Sequence, residues 1–362
     1  MRKLISFALC LGLAAALCVH SLAAGSAEIV RAFVYEGTLY TYISMDGMKK
    51  PITKAEVKVG GQTFSATNRL ETVRQAGAPV TWLLLVDNSN SMPDFREEAD
   101  RFAAQLAQSA GENTKFILAA FGDAFQVVRE DVPADQLAEE MERLPFNERV
   151  TRLHTAIDQA LDYFEGMPRE RNELRCMVIL SDAVQYDPQG GVPYEELLEQ
   201  VSQSDVMLHS VGLGADRNSL DSLGRLASAS DGLHQEVNVQ TAEDAADRLT
   251  EVSGELFVTG FDLTGYSSEG GTEQISVTLA SGGELICRAE AQVELPELDG
   301  TSGTQNAPSF PAAQEPPAGV AAVPPTSPSS PPSAENQGLP LLPIVAGVIV
   351  LIAAAVFLFR RK

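Results

Sequence analysis

An acid and two hydroxyls, Asp87, Ser89 and Ser91, stand at alternate positions in the stretch Thr81-Trp82-Leu83-Leu84-Leu85-Val86-Asp87-Asn88-Ser89-Asn90-Ser91-Met92. Hard oxygen donors of this kind suit Mg2+, Mn2+ or Ca2+ far better than zinc. They follow at once on an apolar run bounded upstream by Pro79. Such a run reads as a strand buried on both faces, as in a parallel sheet covered by helices. In open α/β sheets, ligands bind in the crevice at the carboxyl ends of the strands, where this triplet falls. The same residue types also make an ordinary acidic turn that caps the next helix. The triplet alone leaves both readings open.

The elements around it set the context. From Pro79 onward, apolar strands alternate with amphipathic helices. Helical periodicity covers 95–108, 133–143, 154–165, 194–203, 219–229 and 241–252. Apolar strands fall at 115–121, 176–180 and 206–211, with a short one near 234–237. A further strand at 124–128 follows after only Gly122-Asp123, which predicts an antiparallel hairpin edge. This is the pattern of a doubly wound, mostly parallel sheet. Before it, 25–79 carries short strands around Val30–Tyr35, Leu39–Ile43 and Ala55–Val59, separated by Gly-containing turns. After it, 258–298 returns to β texture. The expectation is that 80–257 is an α/β unit inserted into a small β domain, whose two segments complete one sheet.

The ends and the composition bound the location. Arg2-Lys3, an apolar stretch and the small residues Ala23-Ala24 make 1–24 a secretory signal peptide. Residues 299–338 are rich in Pro, Ser, Ala and Gly and read as an extended spacer. Within 339–362, an uncharged apolar run about 28 Å long as a helix fits a bilayer core. It ends in Arg360-Arg361-Lys362, which places the C-terminus in the cytoplasm. This tail resembles the sorting tail of wall-anchored bacterial surface proteins, although Leu339-Pro340-Leu341-Leu342-Pro343 lacks the sortase motif. The formal net charge is −23 over 362 residues. Because five basic residues lie in the two ends, the middle is more acidic still, which excludes nucleic acid as a partner. Cys176 and Cys287 form no disulfide framework and read as buried thiols.

Two further oxygen-bearing residues join the triplet. Thr151 lies just before the helix carrying Ala156-Ile157 and Ala160-Leu161, and Asp182 follows the strand 176–180. In order and spacing, Asp87-x-Ser89-x-Ser91, Thr151 and Asp182 resemble the metal-ion-dependent adhesion site of von Willebrand factor A (vWA) domains. The resemblance covers roughly 80–257. It implies that Ser89 and Ser91 coordinate a divalent cation, that Thr151 does so directly or through water, and that Asp87 and Asp182 act mostly through bound water. The cation would be Mg2+, or Mn2+ or Ca2+, with few direct carboxylates, so that a protein ligand can supply an Asp or Glu. This sequence departs from the family pattern in having Asn90, Arg149-Val150 and Ala183 at positions where glycine is frequent. None of these removes a ligand atom. Arg149, beside an acidic site, would either compete with a cation or meet an acidic partner.

Other candidates carry less. Val211-Gly212-Leu213-Gly214-Ala215-Asp216 lacks the third glycine of a dinucleotide fingerprint and reads as a strand-to-helix turn. His154 reads as a solvated or helix-capping residue, and Tyr35, Tyr40 and Tyr42 as sheet-face packing. No nucleophile elbow, Walker loop or zinc pattern is present, so no enzyme activity is expected. The expected function is a membrane-anchored, outward-facing protein that binds a protein ligand through a cation. The alternative is an assembly subunit of an envelope complex with a structural or vacant metal site. Protease added to intact cells or protoplasts should cut the spacer at 299–338 and release the body. A body protected from external protease would overturn this orientation.

Overall fold

The computed structural model describes residues 26–300, Lys49 excepted. The expected signal peptide, the spacer beyond Gly300 and the apolar span at 339–362 lie outside the described residues. Among the described residues, no helix is long and apolar enough to cross a membrane.

The chain opens with β1 (Ser26–Tyr35), β2 (Thr38–Asp46), β3 (Lys54–Val59), β4 (Gln62–Ser65) and β5 (Glu71–Thr72), then the single turn α1 (Val73–Ala76). The α/β unit follows: β6 (Val80–Asp87), α2 (Arg96–Ser109), β7 (Thr114–Phe121), β8 (Phe125–Val132), α3 (Leu137–Glu142), α4 (Leu153–Gly166) and β9 (Leu174–Ser181). It continues with α5 (Tyr194–Gln203), β10 (Met207–Gly212), α6 (Arg217–Ala229), β11 (His234–Glu236) and α7 (Ala242–Gly254). The chain then returns as β12 (Phe257–Asp262), β13 (Ser267–Ser281) and β14 (Glu284–Asp299).

The central sheet has the order β11-β10-β9-β6-β7-β8. Its pairings are parallel except for β7 with β8, the antiparallel edge. Successive side chains of a strand point to opposite faces, and β6 buries both. Trp82, Leu84 and Val86 pack with α2, α3 and α7, whereas Leu83 and Leu85 pack with α4, α5 and α6. The neighbouring β9 divides in the same way, with Cys176, Val178 and Leu180 on one face and Met177 and Ile179 on the other. An unbroken apolar run is what such a strand requires, because polar alternation would place a hydroxyl or a charge beneath a helix.

The outer β segments build two sheets, not the one sheet expected from the sequence. One has the order β1-β2-β12-β5 and the other β14-β13-β3-β4, and each mixes strands from both sides of the α/β unit. Between them lies a separate apolar core that includes Leu39, Ile43, Val57, Phe261 and Val277. Strand β2 belongs to two cores at once. Leu39 and Ile43 point into the β core, while Tyr40 and Tyr42 join the core of the α/β unit. The Tyr42 hydroxyl donates to the Asn172 carbonyl at 2.6 Å, just ahead of β9. Entry and exit of the α/β unit are adjacent, since β5 pairs with β12 through Phe257↔Thr72 and Val258↔Glu71. This adjacency lets one domain be inserted in another without straining either. Cys176 and Cys287 are buried free thiols.

A buried arginine ties the two parts together. Arg31 of β1 is 7% exposed. It donates from Nη2 to the Val206 carbonyl at 3.1 Å and to the Ser230 carbonyl, and from Nη1 to Asp231 Oδ2 at 3.3 Å. Those carbonyls lie ahead of β10 and at the end of α6, so one guanidinium fork satisfies polar groups from two connections. Arg31→Ala would leave both carbonyls unmatched, and a buried unmatched polar group costs about 1–3 kcal/mol. A loss of about 2–4 kcal/mol is expected in urea unfolding. Arg31→Lys should restore only part of it, because an ammonium cannot fork. A change too small to measure in Arg31→Ala would show that the tie contributes nothing to stability.

Candidate metal-binding site

The site lies at the carboxyl ends of the parallel strands. β6 and β9 run in register, with Val86 beside Leu180, so Asp87 and Ser181 finish their strands side by side. Asp87 has no exposed surface. Its Oδ1 accepts from the Ser89 backbone N–H at 2.8 Å, and its Oδ2 accepts from the Ser181 hydroxyl at 2.7 Å. Burial pushes the Asp87 carboxyl up to about 6. The bonds from Ser181 and Ser89 pull it back, and the charge of nearby Asp182 adds to the rise.

The chain after Asp87 folds over this carboxylate. Ser89 is buried and Ser91 exposed, with their Oγ atoms 2.9 Å apart. Asn88 anchors the turn, its N–H donating to the Phe121 carbonyl at 2.7 Å and its Oδ1 accepting from the Phe146 N–H at 2.8 Å. The segment before α4 then crosses the turn. Glu148 donates to the Asn88 carbonyl at 3.0 Å and accepts from the Asn90 N–H at 2.8 Å. Gly122 permits this crossing, because a Cβ there would come within 2.5 Å of the Glu148 side chain. Three residues on, Thr151 exchanges both backbone bonds with Tyr186, at 3.0 and 2.9 Å. Arg152 N–H donates to the Gly122 carbonyl at 3.1 Å.

Asp182 is half-buried, and its Oδ1 accepts from the Val184 N–H at 3.0 Å. Ala183 between them has a φ of +63°. That is the left-handed region, which costs a residue with a Cβ roughly 1–2 kcal/mol. The Ala183 N–H donates to the Ser181 hydroxyl at 2.9 Å, so Ser181 holds both this turn and the Asp87 carboxylate.

Asp87, Ser89 and Ser91 are therefore linked directly. Thr151 joins them through the Glu148 crossing, and Asp182 through its neighbour Ser181. Ser181, Asn88, Gly122 and Tyr186 complete the frame and were not singled out from the sequence. A serine or glycine at a strand end carries no signal of what it will touch. His154 stands apart: its Nδ1 lies 3.3 Å from the Val192 carbonyl, and burial lowers its pKa.

The donor set fits a hard divalent cation. Oxygens on adjacent corners of an octahedron with bonds of about 2.1 Å lie about 3 Å apart. The Ser89 and Ser91 hydroxyls have that spacing. Among the described residues, the Thr151 hydroxyl has no protein hydrogen-bond partner. Also among the described residues, no three His, Cys, Asp or Glu side chains are grouped to hold a metal, so a cation here depends on the hydroxyls.

The Asp87 carboxyl makes stability depend on pH. Its folded value of about 6 exceeds the ordinary 3.8, so ionisation is harder in the folded chain than in the unfolded one. The resulting destabilisation is absent below the unfolded value and complete above about 6. In EDTA, the wild type should lose up to about 3 kcal/mol relative to Asp87→Asn as pH rises across that window. Parallel pH profiles of the two proteins would refute the buried, ionising Asp87.

Residues 83–255 match the family model of the von Willebrand factor type A domain. No curated protein sequence matches the chain. Among solved structures, an aerotolerance-related membrane protein from Bacteroides fragilis is similar at 18% identity, over 48% of this chain and 99% of its own, with a TM-score of 0.40. A von Willebrand factor type A protein from Catenulispora acidiphila is similar at 12% identity, over 75% of this chain and 72% of its own, with a TM-score of 0.43. Proximal thread matrix protein 1 of the mussel byssus, in a structure with a zinc-occupied MIDAS motif, is similar at 14% identity, over 51% of this chain and 47% of its own, with a TM-score of 0.41. The stretch 83–255, which carries most of the six-stranded sheet and its helices, is similar to the von Willebrand factor type A domain.

Proposed function

We propose that the vWA domain binds a divalent cation, Mg2+ in the first instance, and through it a protein partner. Ser89, Ser91 and Thr151 would hold the cation by their hydroxyls, with Asp87 and Asp182 acting through bound water. When bound, the cation would supply an electrophilic corner for a partner's Asp or Glu. The observation that carries this reading is the pair of serine hydroxyls, 2.9 Å apart, beside a carboxylate with no exposed surface. Asp87 contributes negative charge to the site while its two hydrogen bonds keep it in place.

The chain around the domain supports a place at the cell surface. A signal peptide, a Pro-rich spacer and an apolar C-terminal run would carry the domain outside the membrane on a single-pass anchor. The domain acts as a binding module, not an enzyme. Ser210 and His234 stand 2.8 Å apart, yet Ser210 is wholly buried beneath α6, so no substrate reaches it.

Cation binding would tie together loops from three separate stretches of chain. A ligand at a hundredfold excess over its Kd, bound to the folded state alone, stabilises it by about 2.7 kcal/mol. Mg2+ or Mn2+ should therefore raise the melting temperature, and EDTA should reverse the rise. Ser89→Ala should weaken the effect with little change in the metal-free protein, and Asp87→Ala should abolish it. If neither a melting shift nor binding heat appears at millimolar cation, the reading fails and the assembly role takes its place.

A further inference from the structure

We propose that Tyr186, Val184 and Arg149 form the partner-contacting rim of this site, and that the partner is a polypeptide segment carrying its Asp or Glu beside an apolar side chain. This rests on the cation reading above and adds the identity of the partner's neighbouring residue. Four large apolar residues are exposed among the described residues, and two of them, Val184 and Tyr186, fall in the loop that follows Asp182. Tyr186 is the most open of the four, at 58%. Its backbone is fixed all the same, by the two bonds to Thr151. Among the described residues its side chain has no hydrogen-bond or ring partner. An aromatic ring on a fixed backbone loses little rotamer freedom when a partner covers it.

Arg149 lies two residues ahead of Thr151 in the chain. It is exposed, and among the described residues it has no ion-pair partner, in a chain of net charge −23. The backbone on either side of it is pinned, at Glu148 by Asn88 and Asn90, and at Thr151 by Tyr186. A carboxylate that reaches Thr151 is thus flanked by an unpaired guanidinium on one loop and an exposed apolar pair on the other. Arg149 favours an acidic segment and repels a basic one. Tyr186 and Val184 give area only to a partner with apolar side chains next to its acid, which excludes a free carboxylate or an acidic polysaccharide. Tyr and Arg are also the residue types that dominate binding energy at interfaces.

Short synthetic peptides test this. Three are titrated by fluorescence anisotropy against the full-length chain in detergent, with millimolar Mg2+ present. One has a central Asp between leucines, one has Asp between glycines, and one has Asn between leucines. Covering one leucine side chain predicts that the Leu-flanked Asp peptide binds about tenfold tighter than its Gly-flanked counterpart. Tyr186→Ser should bring that ratio towards one, and Tyr186→Phe should keep it. Arg149→Gln should weaken both Asp peptides and flatten their salt dependence. A wild-type ratio of one, a ratio that survives Tyr186→Ser, or no peptide binding at millimolar concentration each overturns the proposal. The cation reading is scored separately. A leucine preference that persists in EDTA, with Asn equivalent to Asp, removes the cation and leaves the rim. Mg2+-dependent binding of Asp with no leucine preference removes the rim and leaves the cation.

Discussion

The register of β6 against β9 is the constraint from which the site follows. The two strands run parallel and in step, so Asp87 and Ser181 end at the same level. One hydroxyl then serves a carboxylate with no exposed surface and also the backbone of the next turn. Burying a carboxylate is expensive unless it is paired or well hydrogen-bonded. Two hydrogen bonds offset only part of that cost, which is why the Asp87 carboxyl is pushed up to about 6. An opposite charge nearby would favour the ionised form. The buried Asp87 carboxyl is therefore a group whose ionised form a nearby cation would favour.

The β sandwich leaves this edge free. Its ties to the α/β unit run through Arg31 to the carbonyls of Val206 and Ser230, and through Tyr42 to the carbonyl of Asn172. These residues precede β10, β11 and β9, so the sandwich docks at the amino ends of the parallel strands. The candidate site occupies the carboxyl ends. A second domain can thus be joined firmly to the first while the loops that carry Ser89, Thr151 and Asp182 stay accessible.

Much of the α/β unit is legible in the sequence because its signals are local. Trp82 to Val86 has no polar alternation, and only a strand covered by helices on both faces accepts that. The helix α4 shows its buried stripe as Ala156, Ile157 and Ala160. Other features are not local. Alternation in β2 marks Leu39, Tyr40, Tyr42 and Ile43 as apolar, yet two cores divide them between its faces. Nothing in the residue types says which core takes which, so the sequence suggested one outer sheet where the chain forms two.

The sequence by itself determined which residues carry oxygen donors and that Asp87, Ser89 and Ser91 fall at the end of a buried strand. Thr151 and Asp182 were readable only through the resemblance in order and spacing, because no local pattern joins them to Asp87. The tertiary structure alone decided how the pieces meet: Ser181 on Asp87, Glu148 across Asn88 and Asn90, Thr151 against Tyr186, and a left-handed Ala183. These contacts are made mostly by backbone groups, which every residue possesses, between segments far apart in the chain. Their partners are chosen by strand register and loop path, and neither leaves a mark on the identity of the residues that meet.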